Sequence, residues 1–344
     1  MYTKPQAAIR ATEYYLPATV LTTADLAAKF PEWSVEKIDK KTGIDERHIA
    51  GPDECSSDLA FAAARKLFSS GAVAPADIDC LLFCTQSPDY FLPATACLLQ
   101  DRLGIPTSAF ALDFNQGCSG FIYGLGLAKG LIETGQVKRV LLLTAETYSK
   151  FIHPRDRSVR TIFGDAAAAT LIEAVNGNGD ASLIGPFVWG TDGSGAKNLI
   201  VPSGGMRRPR STETALEIED SSGNSRTQDN LFMDGAEIFE FTLRSVPKAF
   251  HDLLARAGKS QEEVDLFIFH QANRYMLNSL RMAMAIPENK FYVAMRHCGN
   301  TVSSTIPIAI KHASLEGKLA PGNLVMLVGF GVGYSWGGVL VRWI

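Results

Sequence analysis

Short apolar runs recur along the chain between longer stretches whose apolar residues fall on helical spacing. Leu81-Leu82-Phe83, Ala109-Phe110-Ala111-Leu112, Val140-Leu141-Leu142-Leu143 and Ala168-Ala169-Thr170-Leu171-Ile172 read as strands, and 57–68, 94–103 and 119–133 read as helices. Such alternation predicts an α/β fold of mainly parallel sheets covered by helices. The stretch 119–133 is apolar on nearly every side, with Phe121, Ile122, Leu125, Leu127, Leu131 and Ile132, which predicts a buried helix. Gly120, Gly124, Gly126 and Gly130 each cost that helix roughly 1 kcal/mol relative to alanine. Close approach to a partner helix at 301–315 is the expected compensation.

The pattern repeats. Val264-Asp265-Leu266-Phe267-Ile268-Phe269-His270-Gln271 echoes Ile78-Asp79-Cys80-Leu81-Leu82-Phe83-Cys84-Thr85, and Val325-Met326-Leu327-Val328-Gly329 echoes Val140-Leu141-Leu142-Leu143-Thr144. Between them, Gly299-Asn300 and the helical run to Gly317 match Gly117-Cys118 and the run to Gly135. Solenoid units repeat every 20–50 residues or so, and this spacing is several times longer, so it marks a duplicated α/β domain. The loop-forming cluster Asn176-Gly177-Asn178-Gly179-Asp180 sets the boundary, giving halves 1–176 and 177–344.

Duplication carries a chemical expectation. Halves packed about a pseudo-twofold axis bring equivalent strand ends together, so Cys118 faces its counterpart Asn300, and His270 arrives from the strand end that matches Cys84. A strand, read as buried over 110–113, runs into Gly117-Cys118-Ser119-Gly120 and a helix, placing a thiol where free N–H groups and the helix dipole favour thiolate. An inert buried cysteine is the alternative. Thiol, imidazole and carboxamide together are a nucleophile, a base or donor, and a neutral donor, the parts for acyl transfer through a thioester. No second histidine or carboxylate stands at ligand spacing from His270, so no metal site is expected.

Asn115-Gln116-Gly117-Cys118-Ser119-Gly120-Phe121, Phe269-His270-Gln271-Ala272-Asn273, His297-Cys298-Gly299-Asn300-Thr301 and Gly329-Phe330-Gly331-Val332-Gly333-Tyr334-Ser335-Trp336-Gly337 resemble the signatures of β-ketoacyl-acyl-carrier-protein synthase III. Phe163-Gly164-Asp165-Ala166-Ala167-Ala168 adds a further segment, and the likeness covers nearly the whole chain. The resemblance implies the thiolase-like duplicated fold, five layers α-β-α-β-α with two buried helices at the centre. It implies decarboxylative condensation of an acyl-CoA with malonyl-acyl-carrier protein through an acyl-Cys118 intermediate. His270 and Asn300 then stabilise the enolate, and the N–H groups of Cys118 and Val332 form the oxyanion hole. Phe330 gates the thiol, with Gly331 beside it in the same loop. No resident cofactor is implied, since CoA enters as the substrate's thioester; a homodimer is.

Residues for binding follow the same likeness. Trp33 resembles the tryptophan that stacks on the CoA adenine and Arg157 the arginine on the ring's other face, although the spacing from Trp33 to Gly43 is longer than the family's, and a half-buried packing role for Trp33 stays open. Lys41 stands where an arginine commonly meets CoA phosphate. Asn273 fits the pantetheine-facing asparagine. Arg274 opens a helix that could meet the acidic carrier protein or simply be solvated. Leu92 falls where relatives place a phenylalanine that closes the acyl pocket across the dimer, which suggests a primer longer than acetyl. Val332 replaces a common glycine, and valine disfavours positive φ there.

Composition narrows the class. The chain has 344 residues, 46% hydrophobic, and a net charge of −3 with Lys and Arg dispersed, so nucleic acid is not an expected partner. No apolar run is long enough to span a bilayer, and the first residues lack a secretory pattern. Six irregularly spaced cysteines form neither a zinc nor a disulfide pattern, and a working thiol suits a reducing cytoplasm. The irregular segment 202–230, with its Arg207-Arg208-Pro209-Arg210 run, reads as a solvated loop. Two alternatives keep the same scaffold: acyl transfer to an alcohol or amine, and a non-catalytic partner subunit.

Overall fold

In the computed structural model, which describes residues 5–176 and 182–344, two five-stranded sheets are built to one plan. The first runs, in spatial order, Pro5–Tyr15, Ala166–Asn176, Arg139–Glu146, Cys80–Cys84, Phe110–Phe114. The second runs Ile184–Thr191, Ser335–Arg342, Leu324–Gly331, Leu266–Phe269, Phe291–Tyr292. Read in these orders, each strand of one has its counterpart in the other. In each sheet the first two pairings are antiparallel and the last two parallel.

Mixed pairing corrects the expectation of mainly parallel sheets. A parallel neighbour needs a long crossover, usually a helix, and only some connections supply one. Leu324–Gly331 returns through the short turn 332–334, so its partner Ser335–Arg342 must run the other way. The boundary cluster expected at 176–180 lies, from 177 on, outside the described residues.

Period-two alternation sorts side chains between layers. Leu81, Phe83, Leu141 and Leu143 face outward onto the helices Ser56–Ser69 and Thr95–Arg102, while Cys80, Leu82, Val140 and Leu142 face inward. In the second sheet Met326 and Val328 turn out towards the helix Gly235–Ala257, and Val325 and Leu327 turn in. The inner faces share one core with Phe121, Ile122 and Leu125 of the helix Gly120–Glu133 and Ile306, Ala309 and Ile310 of the helix Thr305–Leu315. Five layers result, α-β-α-β-α, with those two helices in the middle.

Four local expectations need correction. The strand Phe110–Phe114 ends its sheet, and Phe110 and Leu112 are exposed rather than buried. The helix Gly120–Glu133 is likewise bare along Leu127 and Gly130. Its glycines do not serve the partner helix: a Cβ on Gly120 would lie 2.3 Å from Cys84 Sγ, on Gly124 2.6 Å from Leu142, and on Gly126 2.8 Å from Trp189. They let the helix press onto strands of both sheets. Finally, the second central helix begins at Thr305, after a 3₁₀ turn Val302–Ser304, and accepts Pro307 in its first turn where no N–H is needed.

Candidate active site

Cys118 sits between the strand Phe110–Phe114 and the helix that starts at Gly120. The end of Leu324–Gly331 passes so near that a Cβ on Gly331 would stand 2.8 Å from Cys118 Sγ, which only glycine permits. Ser335 Oγ donates to the Val332 carbonyl at 2.8 Å and so accepts from Ser119 Oγ at 2.7 Å, tying the last loop to the turn that carries Cys118. The backbone N–H groups of Val332 and of Cys118 itself lie near enough to the sulfur to favour its charged form. Val332 is not at positive φ; Gly333 takes that conformation, at +135°.

Helix-terminus chemistry does not win at the thiol. Burial pushes Cys118 up to about 12, the two backbone N–H groups opposing it and the charge of Glu146 adding to it. The expected standing thiolate is therefore corrected to a neutral thiol. The same desolvation pulls His270 down to about 3, leaving a neutral imidazole.

His270 follows the strand Leu266–Phe269, and its backbone N–H donates to the Val328 carbonyl at 2.8 Å. Nδ1 lies 2.7 Å from Thr305 Oγ1. The Phe330 ring packs edge-on against the imidazole, with centroids 5.4 Å apart. Asn300 follows Gly299 at φ +72°, where a Cβ would lie 2.9 Å from the Ile162 carbonyl. Its backbone bridges to the first half, donating to Ile162 and accepting from Gly164, which explains the Phe163-Gly164 segment. Its side-chain Oδ1 accepts the Val302 N–H at 2.9 Å.

Cys118, His270 and Asn300 line one cavity of about 440 Å³, with Phe330 and Gly331 on its wall. Trp33, Lys41 and Asn273 line the same cavity. Around the Trp33 ring stand Lys41 Nζ at 4.9 Å and Arg157 at 5.8 Å, and Arg157 is ion-paired to Glu32. Trp33 also packs against the cluster of Leu21, Leu26 and Ile38, as the packing reading expects. Asn273 caps the helix Arg274–Ala283 by accepting the Met276 N–H. Arg274 is drawn into an ion pair with Asp39 at 2.6 Å, so it is not a freely solvated cation. Leu92, 81% exposed, lines neither this cavity nor its larger neighbour.

That neighbour, about 1100 Å³, lies beyond Val332 and is walled by Tyr90, Phe91, Tyr148 and the segment from Leu199 through Arg210. The Arg-rich segment read as a solvated loop thus contributes a wall. Sequence reading also missed Glu146, fully buried at the end of an apolar strand, where its carboxylate accepts from Gln86 N and Ser303 Oγ, both at 3.0 Å. An acid closing the run Val140–Ala145 was the available signal. Thr305 gave none, since a threonine opening a helix is commonplace.

Residues 112–193 match the family model of 3-oxoacyl-acyl-carrier-protein synthase III, and residues 254–343 match the model of its C-terminal part. A β-ketoacyl-acyl-carrier-protein synthase III from Caldanaerobacter subterraneus subsp. tengcongensis is 36% identical over 343 residues, covering 100% of this chain and 99% of the relative. The crystal structure of a 3-oxoacyl-acyl-carrier-protein synthase III at 57% identity superposes with a TM-score of 0.97, covering 98% of this chain and all of that one. A 3-oxoacyl-acyl-carrier-protein synthase from Burkholderia xenovorans, 38% identical, gives 0.89 over 98% of this chain and 94% of its own. With that likeness running the length of both halves and through every segment of the cavity, the chain belongs to the 3-oxoacyl-acyl-carrier-protein synthase III family.

Proposed function

We propose that this condensing enzyme joins an acyl group from acyl-CoA to malonyl-acyl-carrier protein, with Cys118 as nucleophile and His270 and Asn300 as donors to the enolate. The observation that carries the assignment is the single cavity lined by all three.

In the first step Cys118 Sγ attacks the thioester carbonyl, the N–H groups of Cys118 and Val332 hold the oxyanion, and the C–S bond to CoA breaks. A neutral thiol loses its proton as it attacks, and that proton ends on the departing CoA sulfur. In the second step the malonyl C–C bond breaks, carbon dioxide leaves, and the electron pair moves onto the thioester oxygen between His270 Nε2 and the Asn300 NH₂. The resulting carbanion attacks the acyl carbonyl. Cys118 leaves as thiolate and is reprotonated from solvent. A neutral imidazole suits this role because it offers an N–H without a buried charge to desolvate.

Trp33, Lys41 and Arg157 gather at the cavity mouth as a platform for the nucleotide end of CoA, with Asn273 along the pantetheine arm. The cavity beyond Val332 supports a primer longer than acetyl. Exposed Phe110 and Leu112 on an unpaired sheet edge, continuous with a groove lined by Leu127 and Trp189, favour a homodimer formed across that edge. A reduced catalytic thiol suits a cytoplasmic enzyme.

The test is malonyl-carrier protein labelled at its free carboxyl. We expect one carbon dioxide per 3-ketoacyl product, dependent on acyl-CoA, and loss of both in Cys118→Ala. Turnover with alcohols or amines and no carbon dioxide would replace condensation with simple acyl transfer.

A further inference from the structure

The two ring nitrogens of His270 have different surroundings. Nε2 is left to the cavity, while Nδ1 meets Thr305 Oγ1 at 2.7 Å. That hydroxyl also lies 3.1 Å from the Val302 carbonyl, so one proton has two acceptors within reach. A neutral imidazole carries one N–H, and the partner of Nδ1 decides which nitrogen bears it. When Thr305 donates to Nδ1, the ring proton sits on Nε2 and faces the cavity. When Thr305 donates to Val302 instead, it must accept from Nδ1–H, and Nε2 presents a lone pair. An enolate oxygen is stabilised by the first arrangement and repelled by the second.

The enolate chemistry proposed for His270 requires the first. Thr305 is buried at the head of the central helix, where a β-branched side chain has few rotamers, so its hydroxyl is held between Nδ1 and the Val302 carbonyl. Val302, at φ +55°, holds a conformation rare for a β-branched residue; it keeps its N–H on Asn300 and its carbonyl by Thr305 and the imidazole. One strained residue thus faces both enolate donors.

We propose that Thr305 is a positioning residue that sets the tautomer of His270, donating its hydroxyl proton to Nδ1 so that Nε2–H faces the malonyl thioester. This rests on the assignment of His270 as an enolate donor.

The direct test is ¹⁵N NMR of protein labelled in histidine, with His270→Asn to identify the resonance. In the wild type we expect a protonated Nε2 and an unprotonated Nδ1, preserved in Thr305→Ser and exchanged in Thr305→Val, where Nδ1–H turns to the Val302 carbonyl. Kinetically, Thr305→Val should slow carbon dioxide release from malonyl-carrier protein by about tenfold or more, as expected for a lost donor. Acylation of Cys118 by octanoyl-CoA should be unaffected, and Thr305→Ser should restore condensation. An unprotonated Nε2 in the wild type overturns the inference without need of any variant. So does undiminished condensation in Thr305→Val when His270→Ala has lost it. If His270→Ala itself condenses normally, the donor assignment beneath the inference fails instead.

Discussion

Asn300 spends its side-chain oxygen on the Val302 N–H at 2.9 Å, and that bond decides which end of the carboxamide is left for a ligand. The NH₂ makes no hydrogen bond within the described residues. Asn300→Asp keeps an oxygen for Val302 and removes the donor. Carbon dioxide release should fall by roughly 100-fold or more, the usual scale for one oxyanion-type donor. Acylation of Cys118, followed by mass, should persist, whereas equal loss of both steps would mean that Asn300 only holds the site together.

A thiol pushed up to about 12 makes a distinct pH signature. The sign is simple: raising the pKa leaves less thiolate at every pH below it. Alkylation of Cys118 in the free enzyme by iodoacetamide should keep rising with pH through 9. A plateau below pH 8 would show that the helix terminus and the two N–H donors outweigh desolvation.

Much of this site was legible in the chain. Glycine-flanked Cys118, the strand-end His270 and the repeat partner Asn300 all stand where the duplicated pattern puts them, because strand ends are fixed by short local apolar runs. Strand direction was less legible, since it depends on the length of connections rather than on the strands. Gly120 and Gly124 were misread because their neighbours, Cys84 and Leu142, belong to strands that sequence periodicity cannot bring near. The thiol pKa failed for another reason: a helix dipole is visible in a sequence, but the depth of burial that opposes it is a property of the assembled layers. Phe110 and Leu112 show the limit from the other side, as apolar alternation alone does not say whether a sheet ends there.

Glu146 is buried beneath the site, and desolvation raises it to about 8 against an ordinary 4.5, its hydrogen bonds from Gln86, Ser303 and Ser87 opposing the shift. Between these values the native state retains a proton that the unfolded chain has lost, so stability falls as pH rises from about 4.5 towards 8 and levels off above. Glutamine reproduces the protonated acid, its oxygen accepting from Gln86 N and Ser87 Oγ and its NH₂ donating to Ser303 Oγ. The melting temperature of Glu146→Gln should therefore gain on the wild type steadily between pH 5 and 8. A constant difference across that range would show that Glu146 does not titrate there.

Trp33 and Lys41 line the cavity, and Lys41 and Arg157 both stand by the Trp33 ring. Stacking on a base contributes about 1–3 kcal/mol, so Trp33→Ala should raise the KM for acyl-CoA by roughly 5- to 150-fold with kcat little changed. The same variant should show no such penalty with acyl-pantetheine, which lacks the adenine. An equal penalty with both substrates would assign Trp33 to packing on Leu21 and Leu26 instead.

Intact mass spectrometry of the enzyme after exposure to a panel of acyl-CoAs, with and without malonyl-carrier protein, tests the central assignment most directly. We predict a single acyl adduct on Cys118 that persists in buffer and disappears on addition of malonyl-carrier protein, with carbon dioxide evolved in equal amount. Discharge of the adduct by water or an alcohol alone, with malonyl-carrier protein left intact, would contradict it.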